Sequence, residues 1–166
     1  MGFTNIVIYN GGLKDWKKSG LPLASMEPLP SYNGKFISAE ELWKKIAKAD
    51  ATGCVDNAGK PLLTLIDFRS SLKLKYRKGG DNYRIKTSCR TISALLDDFI
   101  DNPALIHSVP KEGMVVTVSE TGNRDIFLMR YLKKFGFTNI FGLEFGMRGW
   151  LKMNYPIEKI RTSPSR

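Results

Sequence analysis

The sequence lacks most of the residues that build metal sites and disulfide frameworks. It has one histidine and two cysteines in 166 residues, whereas a structural zinc site takes four Cys or His ligands. The two cysteines, Cys54 and Cys89, form no C-x-x-C pair. We therefore expect no metal ion and no cofactor. One disulfide is conceivable, but we expect both cysteines to be free thiols, with Cys54 in a loop.

Long apolar runs are also missing. No segment approaches the roughly 20 apolar residues that a transmembrane helix requires. The start, MGFTNIVIYNGG, has no basic region followed by an apolar stretch like that of a signal peptide. With 42% hydrophobic and 25% charged residues, the composition is that of a globular protein with one core. We expect a soluble protein, with the cytoplasm favoured.

Acidic residues are scarce, and the net charge is +10. Much of this charge lies in residues 71–90, SLKLKYRKGGDNYRIKTSCR, where Asp81 is the only acidic residue. Such a patch is a candidate for binding nucleic acid or an acidic protein, and affinity that falls steeply with salt would be its signature. Because only Tyr76 and Tyr83 could stack on bases, we favour a solvated basic loop and do not expect nucleic acid as a partner.

An internal repeat is present. Residues 2–23 align without gaps with residues 136–157, and GFTNI is identical in both copies. Four further positions are also identical: Gly12 and Gly146, Trp16 and Trp150, Lys18 and Lys152, Pro22 and Pro156. Because the copies are separated by the length of a whole domain, the first copy is interpreted as the end of a preceding domain in a tandem protein.

The rest of the chain alternates between helical and strand patterns. FISAEELWKKIAKAD contains Ser38 three residues before Glu41, the arrangement that opens a helix with a capping box. PLLTLIDF and MVVTV are apolar runs typical of strands buried on both faces, and TNIFGL is a third strand. TISALLDDFIDNPALI and DIFLMRYLKKF are predicted helices. This alternation predicts an α/β fold with a doubly wound, mostly parallel sheet and helices on both faces.

The most informative stretch is VVTVSETGNRD. A buried strand ends at Ser119, a short polar loop follows, and a helix begins after Arg124. Ligands of such sheets bind beyond the carboxyl ends of the strands, and a helix N-terminus attracts anions. The loop Ser119, Glu120, Thr121, Gly122, Asn123, Arg124 is therefore a candidate anion-binding site for a small oxyanion or a sulfur compound.

The ordered set of motifs resembles a rhodanese (thiosulfate sulfurtransferase) domain. The family pattern has a helix introduced by Ser and Glu-Leu, a strand ending in Asp-x-Arg, a strand ending in C-x-x-G-x-R, and a final strand followed by G-G-x-x-x-W and a Pro. The matching segments here are SAEELWKKI, LIDFRS, VVTVSETGNRD and GFTNIFGLEFGMRGWLKMNYP. The resemblance implies a sheet of about five strands, with an extra N-terminal strand and helix.

This resemblance also implies a division of the chain. Residues 1–23 would be the strand–helix remnant of a preceding rhodanese-like domain, and residues 24–35 a linker. Residues 36–158 would form the rhodanese-like domain, and residues 159–166 a flexible tail.

In active members of the family, the cysteine of the loop carries a persulfide. The alignment places Ser119 at that cysteine and Arg124 at the arginine. An alcohol cannot hold a transferable sulfane sulfur, and Glu120 and Asp125 add negative charge beside a site meant for an anion. Asp67 and Arg69 match Asp-x-Arg, which implies a structural role near the loop.

The resemblance therefore predicts a catalytically inactive domain. It would retain an anion-binding loop, or serve as a scaffold that packs against a neighbouring rhodanese domain. The alternative is an active sulfurtransferase, in which Ser119 replaces a native cysteine by engineering or Cys89 acts instead.

Two other activities are not expected. A serine hydrolase would need a general base and a G-x-S-x-G elbow, and we expect the only histidine, His107, to be an exposed loop residue. A related phosphatase would need C-x-x-x-x-x-R, in which the cysteine is absent here and Arg124 comes one residue too early.

Overall fold

The computed structural model describes residues 9–22, 29–69 and 83–160. The strands are β1 (Lys35–Ile37), β2 (Leu63–Asp67), β3 (Tyr83–Ile85), β4 (Arg90–Ser93), β5 (Met114–Val118), β6 (Ile140–Leu143) and β7 (Ile157–Lys159). The helices are α1 (Gly12–Lys18), α2 (Ala39–Asp50), α3 (Leu96–Asp101), α4 (Pro103–His107), α5 (Asp125–Lys134) and α6 (Gly146–Lys152).

Five strands form one parallel sheet in the order β1-β6-β5-β2-β4. Every residue of the central strands β2 and β5 is buried, as expected where helices cover both faces of a parallel sheet. One apolar cluster includes Leu42 and Trp150 of α2 and α6, and a second includes Phe99 and Leu128 of α3 and α5. The predicted five-stranded, doubly wound α/β fold is confirmed.

The predicted start of α2 is also confirmed. The Ser38 hydroxyl accepts a hydrogen bond from the Glu41 N–H (3.2 Å), and the Glu41 carboxylate accepts one from the Ser38 N–H (3.2 Å). This reciprocal pair satisfies two backbone donors that the first turn of a helix leaves open. The apolar residues Leu42, Ile46 and Ala49 of α2 are buried.

The helix predicted over residues 91–106 is wrong in its first part. Residues 90–93 form β4, which pairs in parallel with β2 from Thr64 opposite Arg90 to Asp67 opposite Ser93. The β-branched Thr91 and Ile92 fit a strand better than a helix. Two short helices follow in place of one long helix.

The expectation of free thiols is also wrong. Cys54 and Cys89 form a disulfide with their Cα atoms 5.1 Å apart, across a sequence separation of 35 residues. Both residues are buried. Cys89 directly precedes β4, and Cys54 lies in the connection that leads into β2, so the pairing of these two strands brings the cysteines together.

Several expectations fall partly outside the described residues. The extra N-terminal helix is present as α1, but the strand predicted before it and residues 70–82 of the basic segment lie outside those ranges. Within the predicted tail, Lys159 pairs with Tyr83 in a small antiparallel sheet of β3 and β7. None of the described helices is both long and apolar enough to cross a membrane.

Candidate functional site

The candidate loop follows the carboxyl end of β5. Val118, the last residue of β5, lies opposite Asp67, the last residue of β2. Ser119 comes next, and α5 begins six residues later at Asp125. The loop therefore lies at the edge of the sheet where parallel α/β folds bind ligands, as expected.

Ser119 is almost completely enclosed. It is 2% exposed, and its hydroxyl donates a short hydrogen bond to Asp125 Oδ2. The same hydroxyl oxygen accepts a hydrogen bond from the Gly122 N–H, at 2.9 Å. The Ser119 hydroxyl thus both donates and accepts a hydrogen bond, and both partners lie within the segment from Ser119 to Asp125.

Asp125 is the buried charge of this loop. It is fully buried in the first turn of α5. Burial raises the pKa of Asp125 from 3.8 to about 6, although the hydrogen bond from Ser119 acts in the opposite direction. At neutral pH the group is therefore mostly ionised. Its Oδ1 atom, by contrast, has no hydrogen-bond partner among the described residues.

The backbone of the loop is locked against the turn before α6. The Met147 N–H donates to the Ser119 carbonyl (2.8 Å), and the Arg148 N–H donates to the Glu120 carbonyl (3.0 Å). A Cβ atom on Gly122 would come within 2.9 Å of the Phe145 nitrogen, and one on Gly146 within 2.3 Å of the Ser119 carbonyl oxygen. Both glycines also have positive φ angles, 87° and 54°, so the close approach of the two backbones requires glycine at both positions.

The other loop residues are not gathered around a common centre. Asn123 and Arg124 are exposed, whereas Glu120 and Thr121 are half-buried. Glu120 Oε1 is buried without a hydrogen-bond partner among the described residues. The structure thus brings Ser119, Gly122 and Asp125 together, and it leaves the Arg124 side chain at the surface.

Asp67 and Arg69 form an ion pair beside the loop. Arg69 Nε lies 2.7 Å from Asp67 Oδ1, and Arg69 Nη2 lies 2.6 Å from Asp67 Oδ2. Each side chain is 9% exposed, and Arg69 also donates to the Tyr83 carbonyl. This bidentate pair connects the end of β2 to β3.

Cys89 and His107 lie away from the loop. Cys89 precedes β4 and His107 ends α4, which precedes β5, whereas Ser119 follows β5. Since these strands are parallel to β2, both residues belong to the opposite edge of the sheet. His107 is exposed, as expected, but it is helical rather than in a loop. Cys89 is engaged in the disulfide and presents no free thiol.

Sequence reasoning treated Asp125 only as a negative charge that opposes anion binding and missed it as the partner of Ser119. The signal was an acidic residue in the first turn of a helix, where carboxylates are favourable. It also missed the close packing of Gly122 on the turn before α6.

The structure is similar to several solved structures. A rhodanese-related protein from Thermoplasma volcanium is 18% identical, with a TM-score of 0.53, and the match covers 75% of this chain and 97% of that chain. A rhodanese-like domain from Anabaena is 17% identical, with a TM-score of 0.52, and the match covers 79% and 85%. This chain has the rhodanese-like fold.

Another neighbour in fold has a different description. It is a protein of unknown function from Rhodopseudomonas palustris, described as a possible tyrosine phosphatase, which is 14% identical with a TM-score of 0.52, covering 95% of this chain and 100% of that one. No protein-family model matches the sequence, and no curated protein does. At these identities the likeness concerns the fold, so the correspondence of Ser119 with the persulfide cysteine stays a prediction from the motif.

Proposed function

We propose that this is a non-catalytic rhodanese-like domain with a scaffolding role. Its loop is closed internally by the hydrogen bond between Ser119 and Asp125. That buried pair, at the motif position of the nucleophile, is the observation that supports the proposal most directly.

Sulfur transfer through a persulfide requires a thiolate that takes a sulfane sulfur from the donor and passes it to the acceptor. The Ser119 hydroxyl cannot form this intermediate. The cysteines do not replace it, because Cys54 and Cys89 are joined to each other.

A nucleophile must approach its substrate, but Ser119 is 2% exposed and its hydroxyl is bonded on both sides within the loop. The turn before α6 lies directly against the loop, at the Ser119 and Glu120 carbonyl groups. This packing supports a structural role for the loop.

A helix N-terminus attracts negative charge, and here the chain supplies its own carboxylate, Asp125, in the first turn of α5. An incoming thiosulfate or phosphate would meet this charge, with Arg124 directed to the surface. The geometry therefore favours scaffolding over the retained anion-binding role that the motif also allows.

The proposal is tested by thiosulfate:cyanide sulfurtransferase assays that follow thiocyanate release. We expect no turnover by the parent chain and almost none by Ser119→Cys, because the new thiol would be as enclosed as the Ser119 hydroxyl and the Asp125 carboxylate would raise its pKa. We expect turnover to appear in Ser119→Cys combined with Asp125→Ser, since this variant removes the carboxylate that closes the loop beside the thiol.

The matched control is Ser108→Cys, which places a thiol at an exposed position after α4, away from the loop. It should be as inactive as the parent. Turnover by the parent chain itself would overturn the proposal. Equal turnover by the single and double loop variants would refute the role given to Asp125.

A further inference from the structure

Residues 9–22 of the first copy adopt the same local structure as residues 143–156 of the second. Helices α1 (Gly12–Lys18) and α6 (Gly146–Lys152) begin and end at matching positions of the alignment. Gly12 and Gly146 have φ angles of 56° and 54°, and Gly20 and Asn154, which close the two helices, have 67° and 55°. In each copy the tryptophan Nε1 donates to the carbonyl of the matching proline at 3.0 Å, Trp16 to Pro22 and Trp150 to Pro156.

In the second copy this structure has one apolar face, which is part of the core. Met147 and Trp150 are 0% exposed. The Trp150 ring makes an edge contact with Trp43 of α2 at 6.5 Å between centroids, and Tyr155 stacks on Trp43 at 5.9 Å. The receiving surface for α6 is thus the sheet together with α2.

In the first copy the same face is exposed. The positions that match Leu143, Met147, Trp150 and Tyr155 are Tyr9, Leu13, Trp16 and Leu21. Leu13 is 61% exposed, Tyr9 46% and Leu21 40%, and no residue of α1 is buried. Trp16 is half-buried. The described part of the first copy therefore has the apolar face that the second copy buries, but no described residue of α1 is buried.

We infer that the face formed by Tyr9, Leu13, Trp16 and Leu21 docks on a second rhodanese-like body that precedes it in the same polypeptide. The partner surface would be a sheet face and an aromatic-bearing helix equivalent to α2. The equivalent surface of this chain is already occupied by α6, so the domain described here does not supply it. The identity of GFTNI and of the Gly, Trp and Pro positions in both copies favours a partner of the same fold.

This inference is independent of whether the Ser119 loop transfers sulfur. It concerns a different surface, and its test measures protection of the backbone rather than turnover. Failure of one proposal is therefore distinguishable from failure of the other.

The test is hydrogen–deuterium exchange with mass spectrometry on the full polypeptide that carries residues 1–166 in the cell. We expect the peptide 9–22 to exchange as slowly as its counterpart 143–156. In the isolated 166-residue chain, we expect peptide 9–22 to exchange at least about tenfold faster, because amides exchange readily where few apolar contacts hold the structure closed.

Two substitutions complete the test. In the full polypeptide, Leu13→Asp should remove the protection of peptide 9–22, since a charge would enter a buried face. Leu13→Met is the matched control, because Met147 occupies this position in the second copy, and it should keep the protection.

Three results would overturn the inference. The first is a full polypeptide with no rhodanese-like sequence before residue 1. The second is peptide 9–22 exchanging as fast in the full polypeptide as in the isolated chain. The third is a stable dimer of the isolated chain that Leu13→Asp dissociates, because this would make a second copy the partner.

Discussion

Replacing Asp125 by asparagine tests the central feature of the candidate site. The Asp125 carboxyl group is buried, and its pKa rises from 3.8 to about 6 on folding. Because the folded protein holds this proton more tightly than the unfolded chain, the burial cost is absent below about pH 3.8 and grows as the pH rises to about 6. Above that value the cost is constant. Stability should therefore fall with rising pH through this window.

The magnitude follows from the same values. A pKa difference of one between the folded and unfolded states corresponds to about 1.4 kcal/mol of free energy. The rise of the Asp125 pKa from 3.8 to about 6 therefore lowers the free energy of unfolding by about 3 kcal/mol at neutral pH. The amide introduced by Asp125→Asn would stay uncharged at every pH, while its carbonyl still accepts the hydrogen bond from Ser119. We expect the stability of Asp125→Asn relative to the parent to improve by about 3 kcal/mol between about pH 3 and pH 8.

The assay is urea unfolding of both proteins across this pH range, with free energies of unfolding extrapolated to water. Asp101→Asn is the matched control, because Asp101 is an exposed carboxylate at the end of α3, and it reports the effect of removing one surface charge. A difference between Asp125→Asn and the parent that does not change with pH would refute the reasoning. So would a change of the opposite sign.

Two further predictions concern stability. Reducing the Cys54–Cys89 disulfide, which closes a loop across 35 residues, should lower the free energy of unfolding by about 4 kcal/mol in the chain-entropy account; denaturant unfolding with and without a thiol reductant measures this, and an equal effect of reductant on a Cys54→Ser/Cys89→Ser variant would contradict it. Phe145 has a left-handed backbone with φ of 57° and a side chain that is 73% exposed, so Phe145→Gly should relieve about 1 kcal/mol of strain. A thermal unfolding midpoint lower than that of the parent would count against this second prediction.

Local signals in the sequence predicted much of this protein. The reciprocal Ser38 and Glu41 contacts, the buried strands β2 and β5, and the loop from Ser119 to Arg124 all depend on neighbouring residues. Helix caps, apolar runs and turns are determined by residues a few positions apart, so they can be predicted from the sequence alone. The strand predicted over TNIFGL is likewise a local apolar run, and it forms β6.

Short strands were decided by their partners. β1, β3, β4 and β7 have three or four residues each. This length is too short to show a clear alternation of apolar and polar residues. β4 is a strand because β2 offers it a parallel edge, and β3 and β7 pair only with each other among the described strands. The β-propensity of so few residues predicts a strand poorly, because pairing with a neighbouring strand in the folded protein outweighs it.

In the candidate site, too, local sequence signals predicted some features and tertiary packing decided the others. The motif in the sequence located Ser119 and the helix that follows it, but the burial of Asp125 and the disulfide of Cys54 with Cys89 arise only when distant segments pack. The pKa of a carboxyl group depends on how much water its neighbours exclude, and a disulfide depends on the distance between two Cα atoms. Both quantities belong to the folded chain, so sequence spacing alone did not contain them.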